Sequence, residues 1–495
     1  MAIHPFFVPT PGVFMAALRE RLAIPVLAFG GILMAVMQTV VVPLLPDLPR
    51  LTGASAGAVS WMVTATLLSG AVLTPVLGRA GDMYGKRRVL LMALGLMTVG
   101  SLMCALTSDI GILIVARALQ GAAAAVVPLS ISILRDELPP ERTGSAVALM
   151  SSTVGIGAAL GLPLAALLVQ YANWHVMFWA TTALGLVGLT LAWWAVRESP
   201  VREPGRFDTP GALGLAAGLV CLLLAVSQGG TWGWTSSSVL GLFAACAVIL
   251  TVWVRQQLRA VSPLVDLRLA ARPRVALPHI AALLTGFAFY GNSLVTAQLV
   301  QAPEATGYGL GLSIVATGLC LLPGGVTMLF LSPVSARISA ARGPRVTLAL
   351  GTAIIASGYA IRILDSRDLW MIIIGATVCA IGTTFAYSAL PTLILRAVPA
   401  GQTASANGVN VLMRTIGQAV CSAAVAAVLV HHTSLVAGAP IPTLHGYLLA
   451  FVMAGTVALV ACAAALSIPG DPTSRVTPST GSRTGASRDE ALEGA

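Results

Sequence analysis

A charged hairpin between two apolar segments offers the most specific chemistry in this sequence of 495 residues. Asp82 is its single carboxylate, and the basic residues Arg79, Lys86, Arg87 and Arg88 lie within six positions of it. Neighbouring cations favour the ionised form of a carboxylate. The hairpin is therefore a candidate functional site, in which the neighbouring cations hold Asp82 in its charged form.

Glycines and a second copy of the hairpin support this interpretation. Gly78, Gly81 and Gly85 permit close backbone approach and a tight turn. Residues 333–345 repeat the proline, valine, arginine, glycine and final arginine of the first copy at the same spacing, with Ala340 in place of the acid. A solvated loop that only sets topology is the alternative. The duplication predicts a transporter built from two related halves.

Arg117 lies well inside another apolar segment, and Gln120 follows three positions later. Burying a cation at membrane depth costs about 2.5–3.5 kcal/mol on insertion scales. Residues three apart share one helix face, so we expect both side chains to face a cavity or a common partner. A role in transport or coupling is the favoured hypothesis, and a purely interhelical hydrogen bond is the alternative.

A polar stripe marks a late apolar segment. Asn407, Asn410, Arg414 and Gln418 follow at spacings of 3, 4 and 4 and therefore share one face of a helix. Such a stripe would be unfavourable against lipid, so it predicts either the lining of a central cavity or hydrogen bonds between helices. Further candidates for the cavity are Gln38, Thr39, Asn292 and Gln298.

Acidic residues are scarce in the apolar segments, and none lies deep in any predicted span. Glu304 follows the ninth span and could titrate at the outer surface, although an ordinary loop acid is the alternative. A proton that crosses the membrane supplies about 2.3 kcal/mol per 100 mV, but it needs a titratable carrier.

Enzyme and metal chemistry have little support. The sequence contains no HExxH, P-loop or GxSxG motif. Its six histidines are scattered, and all seven cysteines fall inside apolar stretches without a CxxC pair. We expect no enzymatic activity, no cofactor and no metal. Basic runs with interleaved aromatic residues are also missing, which argues against nucleic-acid binding.

Composition places the chain in a lipid bilayer. It is 57% hydrophobic and 9% charged, whereas soluble domains carry roughly 25% charged residues. A span needs about 20 apolar residues, and the sequence contains fourteen such segments grouped as six, two and six. These predicted spans are 24–46, 58–78, 89–107, 110–134, 144–170, 174–196, 211–228, 236–256, 275–301, 311–336, 346–364, 369–395, 404–430 and 444–467.

The basic residues predict the orientation. With the N-terminus in the cytoplasm, 23 of the 28 Lys and Arg fall inside, three fall in outer loops (Arg50, Arg362, Arg367) and two fall within the membrane (Arg117, Arg414). Both termini are then cytoplasmic. The predicted parts are an N-terminal segment 1–23, a six-helix half 24–196, a linker 197–210, a two-helix insertion 211–256, a second half 275–467 and a disordered tail 468–495.

These motifs resemble the major facilitator superfamily, and within it the fourteen-helix drug:proton antiporter family, over nearly the whole chain. The hairpin Gly78 to Arg88 matches the motif between helices 2 and 3, and Arg117 to Gly121 matches R-x-x-Q-G of helix 4. Weaker matches are Gly157, Gly161 and Pro163 of the antiporter motif, Trp174 to Trp179, Arg206 to Asp208, and Arg414 to Gly417. The chain departs from the family at Met37, where members often carry an acid in helix 1, and at Ala165-Ala166, where the antiporter motif has glycines.

The resemblance implies an all-α membrane protein with the major facilitator fold and two pseudo-symmetric halves. It implies proton-driven export of hydrophobic small molecules by alternating access, in a bacterial cytoplasmic membrane and as a monomer. Asp82 would pair across the two halves and lock the outward-facing state, with Gly78, Gly85, Arg87 and Arg88 in the same gate. Two buried arginines without a deep acid predict neutral or anionic substrates. An importer or uncoupled facilitator of a metabolite, and a membrane sensor without transport, are the alternatives.

Overall fold

The computed structural model describes residues 11–39, 41, 44, 48–171, 173–436 and 439–469, and these are almost entirely helical. Thirteen helices among them are long and apolar enough to cross a membrane. A further 32-residue helix, Pro140–Tyr171, is not among those thirteen. The all-α prediction is confirmed, while the count of fourteen spans stays a prediction.

The first half contains eight α-helices. They are α1 (Pro11–Thr39), α2 (Leu48–Thr52), α3 (Ala56–Tyr84), α4 (Lys86–Leu106), α5 (Ile110–Gln120), α6 (Val126–Glu137), α7 (Pro140–Tyr171) and α8 (Trp174–Ala195). A 3₁₀ turn at Gly121–Ala125 joins α5 and α6 into one span. Helix α1 begins at Pro11, inside the N-terminal segment predicted for 1–23, and ends at Thr39, seven residues before the predicted end of the first span.

The remaining helices follow α8 along the chain. They are α9 (Thr209–Trp232), α10 (Ser237–Arg259), α11 (Leu267–Ala270), α12 (Pro273–Gln301), α13 (Ile314–Arg342), α14 (Pro344–Leu364), α15 (Leu369–Ala397), α16 (Thr403–His431) and α17 (Leu444–Ser467). Strands β1 (Thr433–Val436) and β2 (Ala439–Pro442) form a small antiparallel hairpin between α16 and α17, which the sequence did not predict. The predicted tail 468–495 lies largely outside the described residues.

Side-chain caps fix where several helices begin. Ser55, Asp109, Ser313 and Asp368 each accept a hydrogen bond from a backbone N–H in the first turn of the helix that follows. A capped first turn satisfies donors that have no partner inside the helix. These short polar residues therefore end the loops and start the apolar spans.

The two hairpins turn at equivalent glycines. Gly85 between α3 and α4 has φ of 119°, and Gly343 between α13 and α14 has φ of 87°. L-residues with a side chain rarely adopt such angles. We call the end of the bundle that carries both turns the hairpin end. The shared backbone geometry agrees with the repeat found in the sequence.

The halves meet along two pairs of helices that correspond to each other under the repeat. Helix α3 packs on α16, and α13 packs on α7. Helix α3 is the second long helix of its half and α16 the fifth, and the same holds for α13 and α7. Each pair therefore joins the second long helix of one half to the fifth long helix of the other, which gives the interface its pseudo-two-fold symmetry.

The inserted pair is attached on one side. Helix α9 packs against α3 and α16, one from each half, and α10 packs on α9. Asp208 fastens its base by accepting hydrogen bonds from Gly211 N at 2.9 Å, Gln256 Nε2 at 2.9 Å and Gln257 Nε2 at 2.6 Å. This explains the place of the Arg206 to Asp208 motif.

Candidate functional site

The carboxylate of Asp82 lies at the interface between the halves. Its oxygens accept hydrogen bonds from the backbone N–H groups of Ala404 at 3.1 Å and Ser405 at 2.8 Å, in the first turn of α16. The side chain is fully buried. The start of a helix carries a partial positive charge and free N–H donors, so the contact combines hydrogen bonding with an attraction between the charge and the helix dipole.

Gly78 allows this contact to form. A methyl group on its Cα would lie 2.6 Å from the carbonyl oxygen of Ala404, which is closer than such atoms approach. The absence of a side chain at Gly78 therefore lets α3 reach α16. Gly85, one residue after α3, provides the turn into α4.

Lys86 joins the contact from the first turn of α4. Its Nζ lies 2.5 Å from Asp136 Oδ2, 3.1 Å from Thr403 Oγ1 and 3.9 Å from Asp82 Oδ1. The ammonium group is buried. It links a carboxylate of its own half to the start of α16 and places a positive charge beside Asp82.

Two acids of the linker, which were not predicted as site residues, complete the network. Glu203 accepts hydrogen bonds from Arg79 Nη1 at 2.5 Å and from Gln402 Nε2 of the other half at 2.9 Å. Glu198 accepts from the backbone N–H groups of Arg87 at 3.1 Å and Arg88 at 3.3 Å. The alternation of acidic and basic residues in 197–210 was the available signal.

Arg87 and Arg88 therefore differ from Asp82. Both contact Glu198 through their backbone, and the guanidinium of Arg87 donates to the carbonyl of Trp193 at 2.5 Å. Arg88 also lies 3.9 Å from Glu198 Oε2 through its side chain. These contacts stay within the first half and its linker, whereas Asp82 and Lys86 both contact the start of α16 in the other half.

A second polar cluster lies inside the first half. The fully buried guanidinium of Arg117 donates to the carbonyl of Met37 at 3.0 Å and to Gln120 Oε1 at 2.6 Å. Gln120 Nε2 donates to Ser101 Oγ at 2.9 Å, and that hydroxyl lies 3.3 Å from the sulfur of Met37. The predicted pairing of Arg117 and Gln120 is present. The hydrogen-bond partners that the structure gives this arginine are neutral.

A central cavity of about 60 Å³ lies between the halves. Gln38 of α1, Tyr387 of α15 and Arg414 and Gln418 of α16 contribute polar groups to its lining. The guanidinium carbon of Arg414 lies 4.5 Å from the centre of the Tyr387 ring, a distance at which cations and aromatic rings attract. The Tyr387 hydroxyl is buried and has no hydrogen-bond partner among the described residues.

An apolar chamber of about 170 Å³ adjoins this cavity on the side of the insertion. The two share Leu67, Thr415 and Gln418 in their linings. Helix α9 forms one wall, and the rings of Trp234 and Tyr290 contribute aromatic surface. We call this space the lateral chamber. The sequence did not indicate it, because it depends on how α9 packs against both halves.

The polar stripe of α16 divides into two parts. Arg414 and Gln418 line the central cavity. Asn407 and Asn410 lie outside that lining, and both are buried nearer the hairpin end. The amide of Asn407 donates to the carbonyl of Thr403 at 3.0 Å, one turn earlier in its own helix.

Three other candidates lie away from the cavity lining. The Thr39 hydroxyl donates hydrogen bonds to the carbonyls of Ala35 and Val36 in its own helix. Gln298 is exposed. Glu304 lies in an exposed 3₁₀ turn, Glu304–Thr306, after the end of α12 that is remote from the hairpins.

Asn292 serves a buried arginine instead of the cavity. Its Oδ1 accepts from Arg362 Nη1 at 2.8 Å, and its Nδ2 donates to the carbonyl of Ala376 at 3.2 Å. Arg362 was predicted in an outer loop, and this was wrong: it lies in α14, fully buried, 3.9 Å above the Phe451 ring. Its position near the helix end made it resemble a loop cation in the sequence.

The antiporter-motif glycines act in packing. A methyl group on Gly157 would lie 2.5 Å from the carbonyl oxygen of Ile32, and one on Gly161 would overlap the Thr39 hydroxyl. Both glycines therefore permit close contact of α7 with α1. Pro163 lies in the same helix, and its side chain falls outside the described residues. Among the residues that the structure describes, no three His, Cys, Asp or Glu form a potential metal site.

Comparison with known proteins identifies the family. The sequence model of the Major Facilitator Superfamily matches residues 27–422 and 281–492. The chain is 28% identical over 403 residues to the multidrug resistance protein Stp of Mycobacterium tuberculosis, covering 81% of this chain and 74% of that protein. It is 27% identical over 368 residues to the tetracenomycin C resistance and export protein of Streptomyces glaucescens, covering 72% and 67%.

A solved structure supports the fold independently of sequence. The human organic anion transporter MFSD10 superimposes with a TM-score of 0.65 at 15% identity, over 90% of this chain and 99% of that one. The sequence match extends over both halves, and the helix order and the duplicated hairpins agree with it. The chain belongs to the major facilitator superfamily and is a multi-pass membrane transporter.

Proposed function

We propose that this protein exports hydrophobic small molecules, such as drugs, antibiotics or self-made metabolites, by alternating access driven by the proton gradient. The observation that carries the proposal is the contact of Asp82 with the first turn of α16. It joins the halves at one end of the central cavity. Substrate could pass that end only after the contact breaks, so Asp82 would act as the gate.

The positive-inside pattern assigns the hairpin end to the cytoplasm. In that orientation the structure corresponds to a state closed at the Asp82 contact toward the cytoplasm, in a bacterial cytoplasmic membrane with both termini inside. A carboxylate at a helix N-terminus contributes about 0.3–2 kcal/mol. A gate of this strength can hold one state and still open in a transport cycle.

The cavity chemistry supports a substrate class. Arg414 and Gln38 offer a cation and an amide, and Tyr387 offers a hydroxyl with no hydrogen-bond partner among the described residues. The adjoining lateral chamber is mainly apolar. Neither lining contains an acidic residue among the described ones. A molecule with an apolar or aromatic body and a neutral or anionic polar group would match both spaces. A lipophilic cation would meet Arg414 without a compensating carboxylate.

Proton coupling would use the available acids. Asp82 and Glu304 are the two candidates from the sequence. Asp82 lies in the gate, and Glu304 follows α12 at the end of the bundle remote from the hairpins. Asp82 would exchange a proton with the cytoplasm when the gate opens, because opening would separate its carboxyl group from α16 and expose it to water.

Flux in proteoliposomes under an imposed pH gradient tests the proposal. The panel contains a lipophilic cation, a neutral drug and an anionic drug of similar size. We expect uphill flux of the neutral or anionic compounds, and its loss in Asp82→Asn. Glu304→Gln, assayed in parallel, shows whether the outer acid contributes. Uphill flux of the cation alone would contradict the substrate class.

An uncoupled facilitator is the second candidate. The observation that favours it is the neutral set of partners around Arg117, with Met37 where many relatives carry an acid. Flux that ignores the gradient but saturates with substrate would support this candidate and overturn proton coupling.

A further inference from the structure

The hairpin end has a second junction between the halves, and it differs from the first. At the first junction, α3 meets α16 and Asp82 occupies the space between them. At the second, α13 meets α7, and Ala340 stands at the position that corresponds to Asp82. A cavity of about 1050 Å³ lies there, which we call the vestibule.

The repeat extends to the partner helix of each junction. The sequence Gln402-Thr403-Ala404-Ser405-Ala406 opens α16, and Arg142-Thr143-Gly144-Ser145-Ala146 lies in the first turns of α7. Ala404 and Ser405 are the residues whose backbone binds Asp82. Their counterparts Gly144 and Ser145 line the vestibule together with Ala340. The vestibule is therefore the symmetry mate of the closed gate without its carboxylate.

The vestibule has kept the positive charge of the gate. Arg135 of α6, Arg337 of α13 and Arg396 of α15 line it, and Glu141 is the one acidic residue among the described lining residues. Arg337 corresponds to Arg79, which pairs with Glu203 at the first junction. One guanidinium nitrogen of Arg135 is buried and has no hydrogen-bond partner among the described residues. Ala340 therefore supplies no carboxylate to this junction from α13, and arginines from three helices line it.

We propose that the vestibule is a binding site for an anionic group, a carboxylate, sulfonate or phosphate, which supplies the negative charge that Ala340 lacks. Arginine guanidinium groups form the strongest hydrogen bonds to such anions. The group could belong to a small soluble molecule or to the headgroup of an anionic lipid. The proposal concerns binding of an anion and not transport. Anion binding could therefore be absent from a working exporter, and it could be present in a protein that does not export.

Binding of a matched pair of probes tests the site. Naphthalene-2-sulfonate and the neutral naphthalene-2-sulfonamide have nearly the same shape and differ in charge. Each is titrated by calorimetry into the full-length protein in nanodiscs of phosphatidylcholine. We expect the sulfonate to bind and the sulfonamide to bind at least about tenfold more weakly, since the charge-assisted hydrogen bonds are lost.

Variants locate the binding. Arg337→Gln combined with Arg396→Gln should weaken sulfonate binding about tenfold or more. Ala340→Asp should weaken it similarly by placing a carboxylate among the arginines, whereas Ala340→Asn, of the same size, should have a smaller effect. Arg259→Gln removes the same charge from exposed α10, outside the vestibule, and should bind as the unaltered protein does. All four substituted positions are exposed, so we expect the variants to fold. A melting curve of each variant checks that they do.

A lipid arm identifies the source of the anion. The titration is repeated in nanodiscs that contain phosphatidylglycerol. Competition by this lipid, and its retention in native mass spectra by the unaltered protein but not by the double variant, would assign the site to a headgroup. Unchanged sulfonate binding would assign it to a soluble anion. Equal binding of sulfonate by the unaltered protein and the double variant would overturn the proposal.

Discussion

The carboxylate of Asp82 accepts a hydrogen bond from the backbone N–H of Ser405, 2.8 Å away, across 323 residues of sequence. Asp82 is the last acid of α3, and Ser405 lies in the first turn of α16. The contact joins the halves, whereas the basic residues Arg87 and Arg88 bind within their own half. The gate hypothesis therefore depends chiefly on the carboxylate of Asp82 at the start of α16, where Lys86 also binds Thr403.

Replacing that carboxylate should loosen the start of α16. We expect Asp82→Asn to increase amide hydrogen exchange of residues 403–406 by up to about tenfold, because a carboxylate at a helix N-terminus contributes about 0.3–2 kcal/mol. Exchange measured by mass spectrometry checks this. Asp266→Asn is the control, since Asp266 caps α11 locally through Arg268 N and Leu269 N. Unchanged exchange at 403–406 in Asp82→Asn would remove the basis of the gate.

Tyr387 and Tyr359 form a matched pair for testing the central cavity. The Tyr387 hydroxyl has no hydrogen-bond partner within the described part of the chain, while that of Tyr359 donates to the carbonyl of Ala288 at 2.5 Å. We expect Tyr387→Phe to raise the KM for a neutral substrate about fivefold to tenfold at constant melting temperature, since one hydrogen bond is worth about 1 kcal/mol. Tyr359→Phe should lower the melting temperature instead. A Tyr387→Phe protein with unchanged KM would indicate that substrate does not reach this hydroxyl.

Met37 offers a test of substrate charge. Its carbonyl accepts from Arg117, and its side chain lies beside the hydroxyl of Ser101. We expect Met37→Asp to increase ethidium efflux by roughly tenfold, equivalent to about 1.4 kcal/mol, because it adds a carboxylate to a cluster that has no acid. Efflux from loaded cells is the measurement, with Met37→Asn as the uncharged control. Equal efflux by the two variants would show that polarity, not charge, matters there.

A disulfide can test the lateral chamber. The hydroxyl oxygens of Thr64 in α3 and Ser227 in α9 are 3.2 Å apart at its wall, so cysteines at both positions should lie within bonding reach. We expect oxidation of Thr64→Cys/Ser227→Cys to reduce flux at least about fivefold by fixing α9 to α3, with recovery after reduction. Ser335→Cys/Ser388→Cys, which joins α13 and α15 inside one half, is the control. Full flux in the oxidised first pair would exclude the chamber from the pathway.

The sequence by itself determined the fold class, the two related halves and the residues of the first hairpin. Hydropathy over about 20 residues reports membrane spans directly, and a duplication is visible as repeated spacing. Arg117 with Gln120, and Arg414 with Gln418, could likewise be predicted, because a polar group inside an apolar span needs a partner or a cavity.

Only the tertiary structure decided what each polar residue contacts. Asn292 and Asn410 look equivalent to Gln38 in the sequence. In the structure Gln38 lines the cavity, whereas Asn292 binds buried Arg362 and Asn410 is buried outside the lining. The rotation of each helix against its neighbours decides this, and hydropathy does not encode that rotation. The partner of Asp82, the wall that α9 gives the lateral chamber and the vestibule beside Ala340 all arise where distant helices meet, so they appear only once the halves are packed.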